Sequence, residues 1–224
     1  MIKLVLFDIE QTLIQTDTNF EEVREKLKIL FVNKGLSKDF YFKPVLAKIN
    51  EAVDILYKNH LIKNPNILKN KALNIIKNAE VNSVKSSSLI KGAKEVLEYF
   101  HNKNIMIGIF SRTSITAINK HISKYNLGPF QIIVGRETVS NPKPAAEGII
   151  YAMNKLKVKP QQIIVVGDHP YDIEAGKIVG TFTVGLLGGI GSRDSLTNNG
   201  ADIVLNSISE LPRYFENFLN PKMS

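Results

Sequence analysis

The chain has 224 residues, of which 44% are apolar and 22% charged, a balance typical of a globular protein that forms one large domain or two modest ones. It contains no cysteine, which excludes disulfide bonds, thiolate metal sites and a cysteine nucleophile. The net charge is +8, but the lysines are dispersed, with no arginine-rich run and no interleaved aromatic residues. We therefore expect a solvated surface rather than a nucleic-acid interface.

Membrane insertion is not expected either, because no apolar run approaches the roughly 20 residues that a membrane span needs. A strand pattern begins almost at once and an acid follows at Asp8, so we expect no N-terminal targeting leader. These features predict a soluble, cytoplasmic protein with neither a membrane nor a nucleic acid as its partner.

The first predicted element is a short strand at the start of the chain. The residues of Leu4–Phe7 are all apolar, and two acids, Asp8 and Glu10, follow at alternate positions. A run this short and this apolar predicts a strand that is buried on both faces. Asp8 then lies at the carboxyl end of the strand, where open parallel sheets bind their ligands. A buried carboxylate at that place requires a cation or hydrogen-bond donors.

The next part of the chain, residues 15–87, shows only helical patterns. A capping box over Thr18–Glu21 opens the first helix. The three helical patterns lie at residues 18–31, 45–56 and 67–76. The polar run Asn82–Ser88 then predicts a linker. We expect residues 15–87 to form a helical domain inserted into a core domain made of residues 1–14 and 88–224.

From Leu89 onward, predicted strands and helices alternate. The strands are expected at Ile105–Phe110, Phe130–Val134, Gln162–Val166, Phe182–Leu187 and Asp202–Leu205. The helices are expected at Lys91–Phe100, Ile115–Ile122, Ala145–Leu156, Asp172–Val179 and Ser209–Leu219. This alternation predicts an α/β fold with a Rossmann-like parallel sheet that is covered by helices on both faces.

Chemically useful residues follow several of the predicted strands. Asp8 follows the first strand, Ser111 the second and Asp168 the fourth, while Lys143 precedes the helix before that fourth strand. The carboxyl ends of parallel strands converge at one edge of the sheet, so we expect these residues to lie close together. Clustered carboxylates bind Mg²⁺, lysine and hydroxyl groups bind a phosphoryl group, and an aspartate can attack phosphorus.

These residues resemble the four motifs of the haloacid dehalogenase superfamily, in those members that carry a helical cap after the first motif. Residues 8–12, DIEQT, match the first motif, DxDGT, at its first and last positions. Ser111 matches the second motif, Lys143-Pro144 the third, and residues 167–176, GDHPYDIEAG, match the fourth almost fully. The layout is similar to that of phosphoglycolate phosphatases and β-phosphoglucomutases.

The resemblance implies a Mg²⁺-dependent phosphatase acting on a small phosphorylated metabolite through an aspartyl-phosphate. Asp8 would be the nucleophile, with its charge neutralised by Lys143, and Glu10 would be the general acid and base. The phosphoryl group would be bound by Ser111 and Lys143, and Arg112, which stands where the family frequently has asparagine, is a further candidate for binding phosphate. The metal would be held by Asp8, Glu10 (through its backbone carbonyl), Asp168 and Asp172. The inserted cap would exclude bulk water and choose the substrate.

Two residues depart from the first motif of the family. Glu10 is longer than the usual aspartate by one carbon–carbon bond, about 1.5 Å. An acid at this position favours phosphate-ester chemistry, in which the leaving alkoxide needs a proton. Gln11 replaces the usual glycine, and glutamine tolerates a positive φ poorly.

Several alternatives stay open at this point. The protein could be a phosphomutase, a catalytically weakened protein that binds phosphate and Mg²⁺, or a haloacid dehalogenase, although the metal-binding acids of the fourth motif count against the last. Ser111 and Asp172 could instead cap the helices that follow them, and Arg112 could be an ordinary surface arginine. The sequence predicts neither the leaving group of the substrate nor the oligomeric state.

Overall fold

The computed structural model describes residues 1–216. The chain divides into two compact units. Residues 17–85 form the helical unit, and residues 1–16 together with the chain from Ser86 onward form the α/β unit. Within the described residues, no helix is both long and apolar enough to cross a membrane.

The α/β unit is built on a six-stranded sheet. The strands of residues 1–216 are β1 (Leu4–Phe7), β2 (Ile14–Gln15), β3 (Ser88–Leu89), β4 (Met106–Phe110), β5 (Ile132–Val134), β6 (Ile163–Gly167), β7 (Phe182–Leu186) and β8 (Ile203–Leu205). Six of them pair in parallel in the order β5–β4–β1–β6–β7–β8, and β2 and β3 form a separate antiparallel pair. The prediction of an α/β fold with a parallel sheet is confirmed, whereas the β2–β3 pair was not predicted.

Helices connect these strands and also form the helical unit. They are α1 (Phe20–Val32), α2 (Val45–Lys58), α3 (Pro65–Ser83), α4 (Ala93–Asn102), α5 (Ile115–Tyr125), α6 (Glu147–Leu156), α7 (Pro170–Val179), α8 (Arg193–Asn198) and α9 (Leu211–Tyr214). The predicted closing helix at Ser209–Leu219 is represented by a 3₁₀ turn, Ile208–Glu210, followed by α9. Its predicted last residues, 217–219, lie outside the described residues, and α8 was not predicted.

Strand β1 occupies the centre of the sheet, between β4 and β6. Leu4 and Leu6 face one apolar core, while Val5 and Phe7 face the other, and all four side chains are fully buried. The prediction that this strand is buried on both faces is therefore confirmed. The chain builds the sheet outward through β4 and β5 and then returns to the other side of β1 as β6. Such a reversal leaves a crevice at the carboxyl edge of the central strands.

The helical unit encloses an apolar core of its own between the three helices α1, α2 and α3. The side chain of Asn19, not the predicted Thr18, caps α1 by accepting a hydrogen bond from the Glu22 amide at 3.0 Å. The Thr18 hydroxyl donates instead to the hydroxyl of Ser83 at 3.1 Å, so the capping-box prediction is wrong by one residue. Helix α3 also continues to Ser83, into the first residues of the predicted linker.

Candidate active site

The candidate site begins where three neighbouring strands end. Asp8 directly follows β1, Ser111 follows β4 and Asp168 follows β6. The Asp8 amide donates to the carbonyl of Val166 at 2.8 Å, and the Ser111 amide donates to the carbonyl of Val134 at the same distance. These bonds continue the ladders of the sheet past the strand ends, which fixes the backbone of both residues.

Three carboxylates meet at this edge of the sheet. Asp8, Asp168 and Asp172 each offer one oxygen, and the three oxygens lie within 4.8 Å of one another. Asp172 belongs to the first turn of α7, which begins three residues after β6 ends. Both Asp168 and Asp172 are only 1% exposed. A compact set of carboxylate oxygens is the donor set that Mg²⁺ prefers, so these residues fit the predicted metal.

The ammonium group of Lys143 lies within this carboxylate cluster. Its Nζ is 2.9 Å from Oδ1 of Asp8 and in direct contact with Oδ1 of Asp172, and its side chain is 3% exposed. The same Nζ lies 4.8 Å from the centre of the Phe110 ring. Burial opposes the charged form, but the two carboxylates outweigh it and raise the pKa of Lys143, so the side chain stays protonated.

The carboxylates are themselves strongly affected by burial. Burial raises the pKa of Asp172 to about 7, against the attraction of Lys143. Burial, together with the charge of Asp8, raises the pKa of Asp168 to about 6, against the hydrogen bond from the Ile190 amide. One ammonium group therefore does not compensate three close carboxylates. The cluster has the electrostatic properties of a site that needs a further cation.

Asp168 is held in place by two segments that lie far apart in the sequence. Its Oδ1 accepts a hydrogen bond from the Thr12 hydroxyl at 3.2 Å, and its Oδ2 accepts one from the Ile190 amide at 2.9 Å. A Cβ atom on Gly189 would lie 2.1 Å from Oδ2, so only glycine allows this loop to approach. Neither contact was predicted, although Thr12 is the last residue of the first motif and residues 188–191 read GGIG.

The two open questions about helix caps have opposite answers. Oδ2 of Asp172 accepts a hydrogen bond from the amide of His169, the N-cap residue of α7, at 3.1 Å, so Asp172 completes a capping box while its Oδ1 contacts Lys143. Ser111 does not cap α5, because the hydroxyl of Ser114 accepts the bond from the Ala117 amide at 3.4 Å. The Ser111 side chain is buried at the strand end, where its Oγ accepts a hydrogen bond from the Thr113 amide at 3.3 Å.

Glu10 and Gln11 lie in the turn that leads out of the site. The Glu10 side chain is half-buried and is not one of the three clustered carboxylates, although the metal ligand predicted here is its backbone carbonyl. Gln11 has a φ of +58°, in the left-handed region, so the chain keeps the backbone conformation for which glycine is usual. Its Nε2 donates to the carbonyl of Thr16 at 2.7 Å, which stabilises the turn from the side chain.

Arg112, directly after Ser111, is half-buried rather than freely solvated. The central carbon of its guanidinium lies 5.0 Å from the centre of the Tyr171 ring. Burial lowers the pKa of Arg112, while Tyr171 and the carboxylates of Asp8 and Asp172 oppose that shift. Its charge therefore lies within electrostatic reach of the carboxylate cluster.

Comparison with known proteins agrees with this geometry. Residues 5–186 match the model of the family described as haloacid dehalogenase-like hydrolase. A protein of Listeria welshimeri named pyrophosphatase PpaX is 31% identical over 122 residues, which cover 54% of this chain and 56% of that protein. The chain thus spans about half the length of this relative. The protein of the same name from Anoxybacillus flavithermus is 27% identical over 217 residues, covering 94% of this chain and 95% of that protein.

Solved structures share the fold. The crystal structure of a predicted phosphoglycolate phosphatase from Haemophilus somnus superimposes with a TM-score of 0.66 at 18% identity. The match covers 95% of this chain and 97% of that chain. At this level of identity, the similarity establishes the fold and nothing finer.

Proposed function

Because this chain belongs to the haloacid dehalogenase-like hydrolase family, we propose that it is a Mg²⁺-dependent phosphatase that hydrolyses a small phosphorylated substrate through an aspartyl-phosphate on Asp8. One observation carries the proposal. The three carboxylates of Asp8, Asp168 and Asp172 and the buried ammonium group of Lys143 meet at the carboxyl edge of a parallel sheet. This set offers a nucleophile, a metal site and a compensating cation within one crevice.

In this proposal, a carboxylate oxygen of Asp8 attacks the phosphorus atom, and the bond from phosphorus to the leaving oxygen breaks. Glu10 donates a proton to that oxygen. A water molecule then attacks the phosphorus of the aspartyl-phosphate while Glu10 accepts its proton, which releases inorganic phosphate and regenerates Asp8.

Lys143 is the residue that allows two anions to approach each other. Its ammonium group contacts Asp8 at 2.9 Å and so lowers the repulsion between the nucleophile and a phosphoryl group. The buried hydroxyl of Ser111, at the end of the neighbouring strand, is the proposed second contact to the phosphoryl oxygens. Asp8, Asp168, Asp172 and the backbone carbonyl of Glu10 would hold Mg²⁺, which when bound withdraws negative charge from the phosphoryl group.

The wider setting is also part of the proposal. We assign the helical unit as the cap domain that the family resemblance implies, and a small phosphorylated metabolite in the cytoplasm as the substrate. The relatives named pyrophosphatase and the solved structure named phosphoglycolate phosphatase make inorganic pyrophosphate and phosphoglycolate the first compounds to test.

The test is release of inorganic phosphate from these two compounds and from p-nitrophenyl phosphate, with Mg²⁺ and with EDTA. We expect release that requires Mg²⁺ and that is lost in Asp8→Asn. The matched control is Asp194→Asn, an exposed acid in α8, which is expected to keep the wild-type rate. Release that survives in Asp8→Asn would refute the proposal, and phosphate transfer to a sugar in place of water would favour the phosphomutase alternative.

A further inference from the structure

Arg112 is a half-buried cation next to the candidate site without an anionic partner. Among residues 1–216, no carboxylate lies within ion-pair distance of its guanidinium, and its buried Nε makes no hydrogen bond. Buried charges in folded proteins are ordinarily paired, because the loss of hydration is otherwise uncompensated. A guanidinium in this state is suited to bind an anion that comes from outside the chain.

The side chain is also held in a defined place. Its guanidinium lies 5.0 Å from the centre of the Tyr171 ring, which provides a flat platform for the cation. The Tyr171 ring in turn lies 4.4 Å from the ring of His169, and the Tyr171 amide donates to Nδ1 of His169 at 3.0 Å. The backbone carbonyl of Arg112 accepts a hydrogen bond from Nη1 of Arg136 at 3.0 Å. The backbone of Arg112 and the ring under its guanidinium are therefore both held in place, so the side chain loses less freedom on binding an anion than a fully solvated arginine does.

Lys143, the cation within the carboxylate cluster, already forms ion pairs. Lys143 contacts both Asp8 and Asp172, so its charge is shared between two carboxylates of the cluster. Lys143 is therefore suited to the phosphoryl group that Asp8 attacks, whereas Arg112 is available for a different negative group of the same substrate.

We propose that Arg112, positioned by Tyr171, binds a second anionic group of the substrate, so that the enzyme prefers compounds whose leaving group carries its own negative charge. This inference rests on the proposed phosphatase function and names the substrate class for that site. The second group is a phosphate, as in inorganic pyrophosphate, or a carboxylate, as in phosphoglycolate. A guanidinium binds either one through paired N–H donors.

The test compares substrates with charged and neutral leaving groups. Steady-state kinetics would be measured on pyrophosphate, phosphoglycolate and phenyl phosphate for the wild type, Arg112→Met and Arg112→Lys. The matched control is Lys155→Met, which removes a cation 5.6 Å from the ring of Tyr151 at the far end of α6. Of the two doubly anionic compounds, the one with the larger loss in Arg112→Met identifies the second group as phosphate or carboxylate.

For Arg112→Met, we expect kcat/KM on the preferred doubly anionic compound to fall by about 30-fold more than kcat/KM on phenyl phosphate. The loss should lie mainly in KM, because the lost contact is made in the ground state as well as in the transition state. Arg112→Lys should recover part of it, since the charge remains without the planar fork. An equal loss on all three compounds would overturn the inference, because a merely structural role does not discriminate between leaving groups.

Binding separates failure of this inference from failure of the proposed function. Calorimetry with Mg²⁺ would compare methylenediphosphonate and phosphonoacetate, neither of which is hydrolysed, with methylphosphonate. If the wild type releases no phosphate from any compound, the proposed function fails, yet selective loss of affinity for one of the two doubly anionic phosphonates in Arg112→Met still supports the role of Arg112. If that variant binds all three phosphonates as tightly as the wild type does, the inference is wrong whatever the activity.

Discussion

Replacing Lys143 by methionine tests whether one buried cation holds the carboxylate cluster together. Methionine keeps much of the length and apolar surface of the side chain and removes its charge. The substitution leaves Asp8 and Asp172 without the ammonium group that now lies 2.9 Å from the first and contacts the second. Because the lysine side chain is 3% exposed, water does not replace the lost partner without a structural change.

The expected cost follows from burial. Removing one partner of a buried ion pair destabilises a protein by about 3–5 kcal/mol, whereas an exposed pair contributes about 0–1 kcal/mol. Lys177 and Asp202 supply the exposed comparison, with a 2.9 Å contact between side chains that are 41% and 29% exposed. We therefore expect Lys143→Met to lower the free energy of unfolding by about 3 kcal/mol more than Lys177→Met does.

The stability lost in Lys143→Met should also depend on pH. The pKa values of about 6 for Asp168 and about 7 for Asp172 exceed those of the unfolded chain, near 4, so the folded state binds more protons between those limits. Stability of the metal-free protein therefore falls as the pH rises from about 4 to about 7. Without Lys143, both pKa values rise further, so the penalty should be larger at pH 8 than at pH 6.

The assay is urea unfolding in EDTA at pH 6 and pH 8, followed by a repeat with Mg²⁺. A divalent cation replaces part of the missing positive charge, so Mg²⁺ should stabilise Lys143→Met by more than it stabilises the wild type. The reasoning is refuted if Lys143→Met costs no more than Lys177→Met, or if its penalty shrinks as the pH rises.

Three further predictions concern the turn after β1, the loop that contacts Asp168, and the buried His121 of α5. Gln11→Gly should alter the free energy of unfolding by less than about 1 kcal/mol, because relief of the positive φ offsets the lost side-chain hydrogen bond. Gln11→Val should lower the free energy of unfolding by about 2 kcal/mol or more, as measured by thermal or urea unfolding. Gly189→Ala should weaken Mg²⁺ binding and turnover by about 10²-fold, because the new Cβ meets the carboxylate of Asp168. Gly188→Ala introduces the strain of a positive φ, +98°, which Gly189 does not have, but no atom lies within 4 Å of its Cβ, so this variant should keep Mg²⁺ affinity in the same titration. Burial lowers the pKa of His121 to about 4. The stability that the neutral His121 side chain contributes is therefore complete above about pH 6.5 and is lost as the pH falls to 4. His121→Gln should remove on the order of 2 kcal/mol of this pH dependence from the free energy of unfolding.

The sequence predicted the sheet well because its central strands are uninterrupted apolar runs. A parallel strand that is buried on both faces is apolar at successive positions, without alternating polar residues, and is therefore easy to recognise in the sequence. Strands β1, β4 and β6 all have this character. Their order in the chain, with connecting helices between them, then restricts the topology. The convergence of Asp8, Ser111 and Asp168 at one edge follows from that topology rather than from any single residue.

The parts that escaped prediction depend on contacts between distant residues or on very short elements. The pair β2–β3 has two residues in each strand, fewer than a periodic pattern needs. The hydrogen bond from Thr12 to Asp168 joins residues 156 positions apart, so it cannot be predicted from the local sequence pattern. The cap of α1 was misassigned because Thr18 and Asn19 both have capping side chains, and the contact with Ser83 decides between them.

The charges of the site connect the metal, the lysine and the arginine in a single electrostatic argument. If all three carboxylates are ionised, they and the one ammonium group have a net charge of −2. The raised pKa values of Asp168 and Asp172 indicate that this buried negative charge is unfavourable. In the proposed function, a divalent cation would bring the cluster to neutrality, and a phosphoryl dianion could then approach Asp8 without net repulsion. A substrate with a second anionic group would bring more negative charge than Lys143 and the metal offset. The proposed role of Arg112, a half-buried cation that the described residues leave unpaired, is to supply the positive charge that such a substrate requires.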